Sequence, residues 1–167
     1  MSTIQEQREQ QLRDLAERSI YYRGHILHRT AILEKEMEVL IVMYFRIHQD
    51  NQLAFMELIL DRMSFSDKIS VMEQILKKVF TDLFEKECSK TMILVRYIKD
   101  VRNSFAHYNV FLSYKEDEKI PKEFSLTNYR NEVKHTPFTK GDFSLFNDRF
   151  EKTKKNIIQW RNILAAI

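Results

Sequence analysis

Met92-Ile93-Leu94-Val95-Arg96-Tyr97-Ile98-Lys99-Asp100-Val101-Arg102-Asn103-Ser104-Phe105-Ala106-His107-Tyr108 is the stretch that decides how the chain reads. It contains no glycine or proline. Leu94, Ile98, Val101, Phe105 and Tyr108 recur at intervals of four and three, the spacing that puts side chains on one face of an α-helix. Arg96, Asp100, Asn103 and His107 keep the same rhythm. Positions 101 and 103 differ by about 200° around a helix axis, so these four form a polar stripe nearly opposite the apolar one. A helix from about Ser89, with one core face and one compact polar face, is expected, and Arg102 stands one step beside Asn103.

The same periodicity extends outward on both sides. Leu12, Leu15, Ser19 and Tyr22 predict a helix over 3–23 that Gly24 ends or kinks. Leu33, Met37, Leu40, Tyr44 and Ile47, with Ile41, Val42 and Phe45 beside them, predict a helix buried over much of its circumference. Asp50 is the expected N-cap of a short helix through Leu53, Met56, Ile59 and Leu60, and Ser66 that of a helix carrying Ile69, Met72, Ile75, Leu76 and Val79. Beyond Tyr108 the pattern becomes β-prone. Val110–Tyr114, a charged turn at Lys115–Lys122 and Phe124–Tyr129 predict a hairpin, and 130–140 reads as loop because of Pro137. The last helix is expected from Asp142, with a seam at Phe143, Phe146, Phe150, Thr153, Ile157, Trp160, Leu164 and Ile167 that packs within the bundle. The fold class is therefore all-α: a helical bundle with a β-hairpin at about 110–130 inserted before the C-terminal helix. It reads as one domain over 1–167, with residues 1–24 as an N-terminal helical extension.

Composition supports this and excludes other classes. Of 167 residues, 44% are hydrophobic and 31% charged, a globular balance. Two glycines and two prolines are too few for a sandwich or barrel, or for a glycine-rich phosphate loop. A net charge of +3 is compatible with an RNA partner without requiring one. Cys88 is the only cysteine, so no intramolecular disulfide forms, which predicts a reducing, cytoplasmic compartment. Met1–Arg23 lacks the apolar core of a secretory signal, and Val39–Phe45, the longest apolar run, is too short to span a bilayer, so no membrane partner is expected. No Cys/His cluster has zinc spacing, and His25 and His28 lack a third ligand; neither a metal nor a cofactor is expected. Lys152, Lys154, Lys155 and Arg161 read as a solvated helix face, with RNA phosphate contact as the alternative. The hairpin aromatics Phe111, Tyr114, Phe124 and Tyr129 read as packing against the bundle, with base stacking as the alternative.

The polar stripe carries groups suited to cleaving a phosphodiester without a metal. Histidine can take a proton from a hydroxyl or give one to a leaving oxygen. Arginine presents a permanently charged fork to a phosphate whose charge grows in the transition state. Asn103 can donate to the same phosphate or hold His107. RNA brings its own nucleophile, the 2′-OH. Arg102 and His107 lie roughly 140° apart on an ideal helix, so they meet only if Arg102 wraps toward the helix end or a second copy docks its stripe against the first.

Arg102-Asn103-Ser104-Phe105-Ala106-His107 resembles the HEPN family signature: Arg, a polar residue that is often Asn, three residues, then His. The motif falls late in the chain, after the helices expected around 26–49, 51–61 and 67–79. Leu58–Leu76, with Phe65-Ser66-Asp67-Lys68-Ile69, is similar to the second-helix region of small HEPN proteins. The resemblance covers most of 26–167. It implies a HEPN-like all-α fold, a homodimer with facing motifs and a metal-independent endoribonuclease acting on RNA, as in toxins, phage-defence effectors and RNA-processing nucleases. Arg102, Asn103 and His107 would be the catalytic trio, with Arg96 and Asp100 as a supporting stripe. An antitoxin or other partner protein would come from a separate chain. Where HEPN toxins paired with a nucleotidyltransferase antitoxin often carry a tyrosine two residues after the histidine, this chain has Asn109, with Tyr108 directly after His107. The alternative within the family is a non-catalytic dimer that binds a nucleotide or a protein as a scaffold.

Overall fold

The computed structural model describes residues 2–81, 84–111, 123–128 and 134–166. The fold is mainly helical with a small antiparallel sheet. In chain order come α1 (Ser2–Tyr44), α2 (Gln49–Leu58), α3 (Phe65–Val79), α4 (Ser89–His107), β1 (Asn109–Phe111), β2 (Phe124–Asn128), β3 (Lys134–Phe138) and α5 (Lys140–Ala165). A 3₁₀ turn, Leu60–Arg62, precedes α3, and a π turn, Phe84–Cys88, precedes α4. The helices α1, α4 and α5 each contribute to both of two compact units: Met1–His28 with Val101–Phe146, and Arg29–Asp100 with Asn147–Ile167. No helix among the described residues is long and apolar enough to cross a membrane.

Two expected helices are one. α1 runs unbroken through Gly24, which is exposed and where an added Cβ would meet nothing within 4 Å. A single glycine lowers helix propensity without breaking a helix whose flanking turns, at Tyr22 and Ile26, are buried. Gly24→Ala is therefore expected to raise stability by about 0.4–1 kcal/mol, read by urea unfolding, because alanine fits the helix and narrows the unfolded ensemble.

In the first unit, aromatic rings form the core. Phe105 and Phe138 meet edge-on at 4.7 Å, and Tyr22 stacks on Phe143 at 3.9 Å. Phe124 is fully buried beside them. The sheet has order β1-β2-β3. Asn109 pairs with Thr127 and Phe111 with Ser125, while Thr127 pairs with His135 and Ser125 with Pro137. Alternation then puts Phe124, Leu126 and Phe138 on the inner face, where all three are buried. The expected hairpin is thus part of a three-stranded sheet. β3 occupies residues expected to be loop because of Pro137; it is an edge strand, where a proline is tolerated. Residues 112–114 and Tyr129, expected to extend the hairpin, lie outside the described residues.

In the second unit, Leu33, Met37, Leu40, Met72, Leu76, Met92, Val95, Ile98, Ile157 and Trp160 are buried. Of the expected seam of the last helix, Phe146 in the first unit and Phe150, Thr153, Ile157 and Trp160 in the second are buried, Phe143 and Leu164 are half-buried, and Ile167 lies outside the described residues. Thr153 is tolerated there because its hydroxyl donates to the Arg149 carbonyl at 2.7 Å. Caps differ from expectation. α3 is capped by Ser64, whose hydroxyl accepts from the Asp67 N–H while Asp67 accepts from the Ser64 N–H. α5 begins at Lys140 with the same box between Thr139 and Asp142. α2 is capped by His48, not Asp50. Although Leu53, Met56 and Ile59 repeat at helical spacing, α2 has no buried residue, and Leu53 is 74% exposed.

Candidate active site

The buried face of α4 differs in part from the sequence reading. Thr91, Met92, Val95, Ile98 and Phe105 are its buried positions, whereas Leu94, Val101 and Tyr108 are half-buried. Ile98 and Phe105 belong to both the expected and the observed core, whereas in the first turns Thr91, Met92 and Val95 take the buried place expected of Leu94, because the consecutive Ile93, Leu94 and Val95 leave open which of them faces inward. The polar stripe stays outside the core. Arg96, Asp100 and His107 are exposed, and Arg102 and Asn103 half-buried.

The stripe divides between the units. Arg96 and Asp100 belong to the second. Arg96 pairs with Glu73 of α3, which also takes Lys77 at 3.2 Å, and Asp100 lies 3.6 Å from Lys99. The Arg96 charge is thus already met by a carboxylate. Arg102, Asn103 and His107 belong to the first unit, on the last turns of α4. The Arg102 guanidinium (Nη1) donates to Asn103 Oδ1 at 3.2 Å. That bond turns the Asn103 carbonyl toward arginine and leaves its amide NH2 as the group able to donate to an anion. His107 is the final residue of the helix, and its exposed ring stands at the end where carbonyls accumulate partial negative charge.

The chain reverses from helix to strand immediately after His107, and two long-range contacts hold that reversal. Tyr108 N–H closes the last turn on the Ser104 carbonyl at 2.9 Å. Arg23 of α1 donates through Nη2 to the Tyr108 carbonyl at 2.8 Å, and the Asn128 amide of β2 donates to the Tyr108 hydroxyl at 3.2 Å. Tyr108 is thereby held at both ends, and the backbone that carries His107 with it. Arg23 also adds a second guanidinium at this end of the helix. Its Nε is buried without a hydrogen-bond partner among the described residues. Sequence reading missed Arg23 and Asn128 because the first contact spans 85 residues and no local pattern marks either.

The remaining candidates are structural. His25 packs against Phe143 at 5.0 Å and Tyr21 at 5.8 Å. Cys88 is buried, and burial first, then the Glu87 charge, pushes its thiol pKa up, away from nucleophilic use. Arg161 pairs with Glu36 at 2.6 Å, while Lys152 and Lys155 are exposed. Among the described residues no group of three or more His, Cys, Asp or Glu is arranged to hold a metal ion. No family model, no curated protein and no solved structure matches the chain.

Proposed function

We propose that the chain is a HEPN-type, metal-independent endoribonuclease working as a homodimer, with Arg102, Asn103 and His107 as its catalytic residues. The observation that carries the proposal is the exposed His107 at the end of α4, with the Arg102–Asn103 pair within the preceding two turns and the end itself clamped through Tyr108. In the proposed reaction the 2′-OH of the substrate loses its proton to a base, O2′ bonds to phosphorus, and the bond from phosphorus to O5′ breaks as that oxygen takes a proton. His107 serves one proton transfer, and His107 of a second copy, facing the first, serves the other. Arg102 and the Asn103 amide stabilise the charge on the non-bridging oxygens. The cellular role proposed is that of a toxin or phage-defence effector, held in check by a partner on a separate chain.

Purified protein incubated with RNA in EDTA should cut it, and should leave DNA of the same sequence intact. A requirement for a divalent ion overturns the mechanism. A protein that cuts nothing, yet binds a nucleotide or protein through Arg102 and His107, supports instead the non-catalytic scaffold.

A further inference from the structure

The outer face of the sheet has an unusual roof. Asn109, Phe111, Ser125, Thr127, His135 and Pro137 point away from the Phe124–Leu126–Phe138 side. Phe111 stands on β1 and His135 on β3, on either side of the central strand, yet their rings lie 4.6 Å apart at 32°. They meet by reaching across β2, which explains why Thr127 is only 1% exposed although it sits on the outer face. Thr127 Oγ1 is 2.8 Å from His135 Nδ1, and this bond fixes the imidazole against its partner. The rings themselves remain open to solvent, with Phe111 37% exposed. A solvated ring pair tethered by Thr127 leaves ring surface open for a further ring.

We propose that Phe111 and His135 form a stacking platform for an unpaired base of the RNA strand whose backbone is cut at His107; the location beside the cut rests on the ribonuclease reading. Three observations favour a nucleic-acid strand as the occupant. The outer positions Asn109, Phe111, Ser125, Thr127, His135 and Pro137 carry no carboxylate, which would repel a polyanion. A phenylalanine–imidazole surface accepts any base by its π face without selecting sequence. Phe111 is four residues beyond His107, at most about 14 Å of chain, so a strand on the platform passes the candidate site within a few nucleotides.

The test uses the full chain and a fluorescent 12-nucleotide single-stranded DNA, which lacks the 2′-OH but keeps the bases, beside an abasic strand of equal length. Phe111→Ala is expected to weaken binding of the base-bearing strand about tenfold or more, Phe111→Trp to retain it, and neither to change binding of the abasic strand. Circular dichroism and thermal melting check that the variants fold. Equal binding by wild type and Phe111→Ala overturns the proposal, as does a wild type that does not prefer the base-bearing strand. Base-dependent binding through Phe111 by a protein that cuts no RNA leaves the platform standing and removes the ribonuclease. RNA cleavage with KM unchanged in Phe111→Ala removes the platform alone.

Discussion

Replacing His107 with alanine is expected to lower RNA cleavage by about 10²–10⁴-fold with the melting temperature essentially unchanged. The magnitude is that of a positioned general acid or base. The neutrality of the fold follows from location: His107 is exposed at the helix terminus, while the buried positions of α4 are Thr91, Met92, Val95, Ile98 and Phe105, and surface substitutions away from special features usually stay within about 0.5 kcal/mol. Arg102→Ala should cost about 10²-fold or more by removing charge stabilisation, and it also releases the Asn103 carbonyl from its 3.2 Å bond. Arg102→Lys restores charge but not the planar fork and should recover only part of the rate. Cleavage by His107→Ala at the wild-type rate, or loss of activity accompanied by unfolding, removes His107 from the chemistry.

The largest expected effect on stability lies in the second unit. Lys68 of α3 is almost fully buried, with Nζ 2.6 Å from Oε1 of both Glu34 and Glu38, one turn apart on α1. Lys35 Nζ approaches the other Glu38 oxygen at 2.7 Å. Burial alone would push the Lys68 pKa down, but the bonds to Glu34 and Glu38 outweigh it and the net shift is upward. Burial likewise pushes Glu38 up, but contact with Lys35 and Lys68 outweighs that and holds its carboxyl below the ordinary value of 4.5. A lowered acid contributes stability that is present above 4.5 and lost as pH falls through the depressed value. A raised lysine contributes stability that is present below 10.5 and lost as pH rises through the raised value. The contribution of this cluster should therefore be level between these limits and fall on both sides. Lys68→Met strands two carboxylates, one of them buried, and should cost about 3–5 kcal/mol in urea unfolding at neutral pH. Adding Glu34→Gln and Glu38→Leu should recover much of the loss, since a well-packed apolar replacement of a buried ion pair is often neutral. A loss below about 1 kcal/mol for Lys68→Met would contradict the account of this cluster.

What the sequence disclosed followed from period and local chemistry. The four-three seam of α5 was readable because Phe146, Phe150, Thr153, Ile157 and Trp160 keep the spacing over several turns, whereas Ile93-Leu94-Val95 left open which of three adjacent apolar residues of α4 is buried. Ser64-x-x-Asp67 and Thr139-x-x-Asp142 were legible as capping boxes, and choosing Ser66 and Asp142 displaced both helix starts. The apolar spacing of α2 gave no warning that Leu53 faces solvent, because periodicity reports a face and not whether anything covers it. At the candidate site, Arg102, Asn103 and His107 were visible as a motif. Arg23 and Asn128 were not, because a bond from α1 or β2 to Tyr108 is a product of tertiary folding. Among the hairpin aromatics, strand register alone decides that Phe124 is core and Phe111 outward, and a shift of one residue would exchange their faces.

The central claim, attack by the substrate's own 2′-OH, is tested most directly at a single bond. An RNA strand is first mapped for its cut site in EDTA, and the nucleotide on the 5′ side of that bond is then replaced by its 2′-deoxy form. The account predicts that cleavage at that bond disappears, while the unmodified strand yields 2′,3′-cyclic phosphate and 5′-hydroxyl ends. Continued cleavage of the deoxy-substituted bond, or a 5′-phosphate on the product, would contradict it.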